Sequence, residues 1–193
     1  MMEKIKECGK IKIFLGPMFA GKSIRLINTI KKCIYENKKI VYITHYNNIN
    51  SSDKYELKNI TCLKCNTLKE IFNELLQFDV IGIDEAHYFS DLVEVCEKLS
   101  FIGKKIYVAA LNGDYKMEPF YNVTKLISIC DIIKLMKAFC YYCDNNAKFT
   151  IKVNNQNLDE NININNLNNV PYFDIYKPVC KSCFYRYSKK NVI

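Results

Sequence analysis

At 193 residues with 49% hydrophobic side chains, the chain can bury an ordinary core, which excludes wholesale disorder and allows one α/β domain with a small appendage. No stretch approaches the ~20 apolar residues of a membrane-spanning helix, and the charged opening Met1-Met2-Glu3-Lys4-Ile5-Lys6-Glu7 lacks a signal-peptide core, so a cytoplasmic protein is expected. The formal net charge of +8 suits an anionic partner without choosing among nucleic acid, a membrane surface and a nucleotide's phosphates; the lysines, dispersed in short pairs such as Lys31-Lys32 and Lys104-Lys105, read as solvated surface rather than a binding patch, and neither a nucleic-acid nor a membrane partner is expected.

Lys10 to Leu15 is a β-branched and aromatic run that stops at Gly16-Pro17 and reads as a strand. A helical period follows from Ser23 to about Tyr35, with Ile24, Ile27, Ile30 and Ile34 assigned to one face. Lys39 to Thr44 reads as a second strand, Leu68 to Phe78 as an amphipathic helix, Val80 to Ile83 as a buried strand, Leu92 to Leu99 as a helix and Lys105 to Ala110 as a strand. Strands alternating with helices imply a parallel sheet with crossovers. After about Ala138 the composition turns to Cys, aromatic residues and Asn. The expected division is therefore a nucleotide-binding α/β domain over 1–138 and a small lobe over 139–193, with an Asn-rich surface loop from Asn154 to Asn169.

Gly16-Pro17-Met18-Phe19-Ala20-Gly21-Lys22-Ser23 fits G-x-x-x-x-G-K-[ST] between a strand and a helix, the setting of a phosphate loop. Such a loop wraps backbone N–H groups around the phosphates of a nucleotide. Lys22 is then expected to reach the β- and γ-phosphates and the Ser23 hydroxyl to ligate Mg²⁺. Val80-Ile81-Gly82-Ile83-Asp84-Glu85 is an apolar strand ending in two acids. Because neighbours on a strand point opposite ways, Asp84 is assigned to Mg²⁺ and Glu85 is left free to take a proton.

Ten cysteines without a signal sequence suit a reducing compartment. Cys140-x-x-Cys143 and Cys180-x-x-Cys183 supply four thiolates, enough for a closed tetrahedral structural Zn²⁺ site. Cys62 and Cys65 form a third C-x-x-C pair that cannot fill a site alone and reads as two surface thiols, with competition for metal or a redox pair as the alternatives. Cys8, Cys33, Cys96 and Cys130 read as buried small apolar groups, and neither His45 nor His87 is assigned to a metal.

In this order the motifs resemble the zinc-containing thymidine kinase family. The phosphate loop is close to GPMFSGKS, Val80 to Phe89 is similar to VIGIDEGQFF, and Ala109 to Tyr115 followed by Pro119-Phe120 is similar to AALDGTF followed by PF. The resemblance runs from about Lys10 to Arg186. It implies a P-loop NTPase (RecA-like) parallel sheet with a small C-terminal zinc lobe and substrate loop, a cytoplasmic homotetramer, and ATP-dependent phosphorylation of the 5′-hydroxyl of thymidine or deoxyuridine in nucleotide salvage. It further implies that Glu85 is the general base, that Ser23 and Asp84 serve Mg²⁺ with ATP, and that Lys152 lies near the phosphates. Met18, Tyr88, Leu111, Tyr115, Phe120, Thr150 and Tyr176 would enclose the nucleoside, and the backbone of Leu167, Asn168, Asn169, Val170 and Pro171 would pair with the base. The chain departs from the family words at His87 for glutamine, at Lys152 for arginine, at Asn47-Asn48-Ile49-Asn50 for Lys-Asp-Thr-Arg, and in its enlarged substrate loop.

Two rival readings share these residues. Asp84-Glu85-Ala86-His87 spells the DEAH box of helicases, but two RecA-like domains need a far longer chain. A zinc-ribbon protein gripping nucleic acid with a regulatory or degenerate nucleotide site is the non-catalytic alternative. Nucleoside-dependent ATP turnover discriminates it from a kinase.

Overall fold

Long apolar runs of the kind found in Ile40–His45 and Val80–Ile83 have no polar alternation, so both of their faces must be covered. The computed structural model, which describes residues 7–47, 57–153 and 175–188, meets that requirement with a six-stranded parallel sheet. Two compact units are formed. The larger comprises the described parts of Met1–Leu15, Lys22–Leu111 and Phe120–Leu135; the smaller comprises Gly16–Gly21, Asn112–Pro119 and the described parts of Met136–Ile193.

In the larger unit, β1 (Ile11–Gly16), β2 (Ile40–His45), β3 (Thr61–Cys65), β4 (Val80–Ile83), β5 (Lys105–Leu111) and β6 (Ile132–Leu135) lie in the order β3-β2-β4-β5-β1-β6. Parallel registers include Ile43 with Ile83 and Ile83 with Val108. Every residue of β2 and β4 is buried, whereas all four of the edge strand β6 are exposed. The helices of this unit are α1 (Lys22–Lys32), α2 (Phe72–Leu75), α3 (Leu92–Phe101) and α4 (Tyr121–Ile127). Gly82 lets α1 come close to β4, since a Cβ there would stand 3.2 Å from the Ile30 side chain.

Four sequence expectations change here. The buried face of α1 is Leu26, Ile27 and Ile30, continued by Cys33 in a following 3₁₀ turn, while Ile24 is 52% exposed. At 3.6 residues per turn Ile24 falls outside the stripe that those four positions share. The helix expected over Leu68 to Phe78 is broken into a 3₁₀ turn, Leu68–Ile71, and the single turn α2. The Asp91 carboxylate accepts from the Leu68 and Lys69 backbone N–H groups at 3.2 and 2.8 Å, which anchors the turn from outside the segment. The strand β3 was not anticipated, and it separates the third cysteine pair. Cys62 is exposed while Cys65 is buried at the edge of the core, so only one of the two is a surface thiol. Of the cysteines expected to be buried, Cys33 and Cys96 are, whereas Cys8 is exposed and Cys130 half-buried.

The smaller unit contains β7 (Ala138–Phe139) antiparallel to β8 (Asn146–Ala147), β9 (Phe149–Lys152) antiparallel to β10 (Tyr176–Val179), and a final helix, Lys181–Tyr187. Ala138, Ala147, Ile151, Val179 and Phe184 form its own apolar cluster. Among the described residues no helix is long and apolar enough to cross a membrane.

Candidate active site

In the larger unit the chemistry-bearing groups gather where β4 ends and α1 begins. Asp84 follows the last residue of β4, is 1% exposed, and its carboxylate accepts from three directions. The Ser23 hydroxyl donates to Oδ1 at 3.0 Å, the Glu85 backbone N–H to the same oxygen at 2.9 Å, and the Tyr42 phenol to Oδ2 at 2.6 Å. Burial raises the Asp84 carboxyl above the usual aspartate value, against the pull of these donors and of Lys22. Lys22, at the first position of α1, is 7% exposed; burial lowers its ammonium, and the charges of Glu85 and Asp84 oppose that shift.

Glu85 does not sit on the strand. Its backbone is left-handed at φ 48°, ψ 41°, so the chain turns sharply between the acids and enters a 3₁₀ turn, Ala86–Tyr88. The two acids are thus parted by the turn rather than by strand alternation. A left-handed non-glycine residue costs on the order of 1–3 kcal/mol and persists only where surrounding structure holds it. Here the hold is partly Asn122 of α4, whose side-chain N–H donates to the carbonyls of Phe89 at 2.7 Å and His87 at 3.1 Å. Burial, together with the neighbouring Asp84 charge, raises the Glu85 carboxyl to about 7 despite Lys22. The His87 ring packs against Tyr88 and Phe120 at centroid distances of 4.4 and 4.8 Å, and Tyr88 also stacks on His45 at 5.3 Å. Tyr42, Asn122 and the support they give were invisible in the motifs: one is an ordinary strand tyrosine and the other lies far along the chain. Leu111 is the half-buried last residue of β5.

In the smaller unit the loop Gly16–Gly21 carries left-handed backbone at Phe19 (φ 62°) and Gly21 (φ 74°). Its two glycines are needed for different reasons. A Cβ at Gly16 would stand 2.7 Å from the Met136 carbonyl oxygen, whereas at Gly21 there is open space and only the backbone conformation demands glycine. The Met18 N–H donates to the buried Thr150 hydroxyl at 3.1 Å, which ties this loop to β9. Tyr115 and Tyr176 lie with centroids 5.8 Å apart, and Lys152 stands over the Tyr115 ring at 5.7 Å. Leu167, Asn168, Asn169, Val170, Pro171 and the Asn-rich stretch lie outside the described residues.

Cys140, Cys143, Cys180 and Cys183 converge with all four sulfurs within 4.8 Å of one another. The Cys143–Cys180 and Cys143–Cys183 sulfur distances are both 3.7 Å. A tetrahedron with metal–sulfur bonds of about 2.3 Å has edges of about 3.8 Å, so the cluster could hold a zinc ion. Its first cysteine pair lies on the β7–β8 hairpin. In the second, Cys180 caps the final helix by accepting from the Cys183 N–H at 3.5 Å, and the Cys180 N–H donates to the Cys140 sulfur at 3.2 Å. Burial and the neighbouring sulfurs push the Cys183 thiol up, as expected of four thiols that cannot ionise together without a cation.

Residues 9–184 match the family profile described as thymidine kinase. The chain is 36% identical over 184 residues to the thymidine kinase of Amsacta moorei entomopoxvirus, spanning 90% of this chain and 97% of that one. It is 33% identical over 184 residues to thymidine kinase 1 of Dictyostelium discoideum, spanning 91% and 78%. Among solved structures, the flagellar accessory protein FlaH from Methanocaldococcus jannaschii aligns with a TM-score of 0.52 at 14% identity, over 72% of this chain and 76% of that one. At that identity the likeness is one of fold.

Proposed function

Because this chain belongs to the thymidine kinase family, we propose that it transfers the γ-phosphoryl group of ATP to the 5′-hydroxyl of thymidine, with deoxyuridine as the nearest alternative acceptor, in nucleotide salvage. The observation that carries this reading is the arrangement of Ser23, Asp84 and Glu85: a hydroxyl and a carboxylate already joined at 3.0 Å, beside a second carboxyl whose proton affinity is raised to about 7. Bound Mg²⁺ would neutralise developing charge on the transferred group, and Ser23 and Asp84 are the residues that would hold it. Lys22 is the cation set to reach the phosphates; burial lowers its ammonium, and the charges of Glu85 and Asp84 offset part of that shift.

Glu85 is the group suited to receive the hydroxyl proton. Its carboxyl is partly accessible, at 29% side-chain exposure, whereas Asp84 is buried and committed to its donors. A base with a pKa near 7 is half ionised at neutral pH and still basic enough to pull on an alcohol proton in the transition state. In the smaller unit, the loop Gly16, Pro17, Met18, Phe19, Ala20 and Gly21, left-handed at Phe19 and Gly21, is the segment suited to phosphate in the manner of an anion nest, although Pro17 has no N–H and those of Met18 and Ala20 donate to Thr150 and to the Pro17 carbonyl. Lys152 adds charge suited to phosphate, Tyr115 and Tyr176 offer faces for a flat pyrimidine, and Tyr88, Leu111 and Phe120 are apolar candidates for the nucleoside in the larger unit. Thr150 serves first as the acceptor for Met18 N–H. The four cysteines hold structural Zn²⁺. The domain division at 138/139, a cytoplasmic location and a homotetramer remain part of this reading.

A coupled assay of ATP turnover against a panel of nucleosides tests the proposal. Turnover should require thymidine or deoxyuridine, and Glu85→Gln should lower kcat about 10²–10⁴-fold with ATP binding retained. Turnover without nucleoside, or a near-normal Glu85→Gln enzyme, would overturn it.

A further inference from the structure

We infer that His87 positions the catalytic carboxylate, its imidazole Nδ1–H donating to Glu85 and holding the rotamer from which Glu85 acts. The inference rests on the reading of Glu85 as the base. Three observations carry it. His87 Nδ1 is buried and has no hydrogen-bond partner among the described residues. A buried polar atom left in that state is costly, and its partner is normally found close by. Glu85 Oε2 stands 3.6 Å away, and of the two side chains the imidazole is the fixed one, at 5% exposure against 29% for Glu85.

The fixity has visible sources. The rings of Tyr88 and Phe120 pack against the imidazole, and Asn122 binds the His87 carbonyl. Glu85, by contrast, is partly open to solvent. A movement of about 0.7 Å would bring the pair to an ordinary charge-assisted length of ~2.9 Å, and hydrogen bonds of this kind commonly tighten only when substrate is bound. Burial, with Lys22 and His45 adding to it, pushes the imidazole down to about 3, so the ring is neutral at any working pH and can keep its one proton on Nδ1. A neutral donor orients the carboxylate without the full charge that would make it a poor base.

Steady-state kinetics with thymidine and MgATP on the full chain test this, comparing His87→Phe and His87→Asn in both the Glu85 and Glu85→Gln backgrounds. Phenylalanine keeps the ring between Tyr88 and Phe120 but removes the donor; asparagine places an amide N–H the same number of bonds from Cβ as Nδ1. His87→Phe should lower kcat roughly ten- to a hundredfold with nucleoside KM little changed, and His87→Asn should recover most of that loss. In the Glu85→Gln background His87→Phe should add little, since two residues acting as one unit are not additive. Equal losses in the two variants, an unaltered kcat in His87→Phe, or a loss of the same size on Glu85→Gln would each overturn the assignment. If His87→Phe fails to melt cooperatively, His87→Leu carries the same comparison. A wild-type enzyme inactive on every nucleoside removes the function itself, an outcome distinct from an active enzyme indifferent to His87.

Discussion

Replacing Tyr42 by phenylalanine removes one oxygen atom from the buried strand β2 and leaves its ring in place. That oxygen donates to Asp84 Oδ2 at 2.6 Å, while Ser23 and the Glu85 N–H both serve Oδ1, so the substitution strips one carboxylate oxygen of its phenol donor. Tyr42 is completely buried, and no water has ready access to take over the role. A hydrogen bond to a charged group contributes about 1.5–3 kcal/mol. For a chain of this length, where each kcal/mol moves Tm by about 2–4 °C, the expected drop is roughly 3–12 °C. The pH dependence identifies the cause. Burial raises the Asp84 carboxyl in the folded protein, so the native state holds that proton more tightly than the unfolded chain does. Ionised Asp84 therefore costs stability above its folded-state pKa, and the cost is relieved as pH falls through that value. Losing the phenol deepens the cost, so the deficit of Tyr42→Phe should be largest at the alkaline end and shrink on acidification. Thermal melts of both proteins across pH measure it. A deficit that is absent, or equally large at every pH at which the wild type remains folded, would refute the reasoning.

With Glu85 as the base, held near 7 by burial and by the Asp84 charge, kcat/KM for nucleoside should fall as pH drops through about 7, where the carboxylate takes up its proton; a profile flat from 8 to 5.5 removes Glu85 from that role. Metal analysis should find one zinc per chain, lost in Cys180→Ser with local stability but retained in Cys62→Ser, because Cys62 lies on β3 of the larger unit and is not one of the four clustered sulfurs. Gly16→Ala should destabilise the chain by about 1–3 kcal/mol and raise the KM for ATP, since its Cβ would press on the Met136 carbonyl and on Ala20, neither of which can swing aside like a long side chain. A Gly16→Ala enzyme with unchanged melting and KM would show that the loop relaxes freely.

The strands β1, β2, β4 and β5 were legible because each is a short apolar run bounded by a turn, and burial on both faces of a parallel sheet leaves that local mark. The edge strands β3 and β6 left none: Thr61–Cys65 and the exposed Ile132–Leu135 gain their strand form from a neighbour's hydrogen bonds, not from their own pattern. The same limit applies to the Leu68–Phe78 segment, whose geometry is set by the distant Asp91 carboxylate.

By itself the sequence determined which groups are the candidates for chemistry. The phosphate loop and the acid pair are contiguous words and the four metal-type cysteines form two C-x-x-C words, in which residue identity and spacing carry the expectation directly. Only the tertiary structure decided how those groups are tuned. The phenol of Tyr42 reaches Asp84 across 42 positions of sequence, Asn122 supports a turn more than thirty residues earlier, and His87 comes to stand 3.6 Å from Glu85 because a left-handed residue bends the chain between the acids. Burial, hydrogen-bond donation and mutual charge all depend on which atoms meet in space, and those meetings are created by packing rather than by order along the chain.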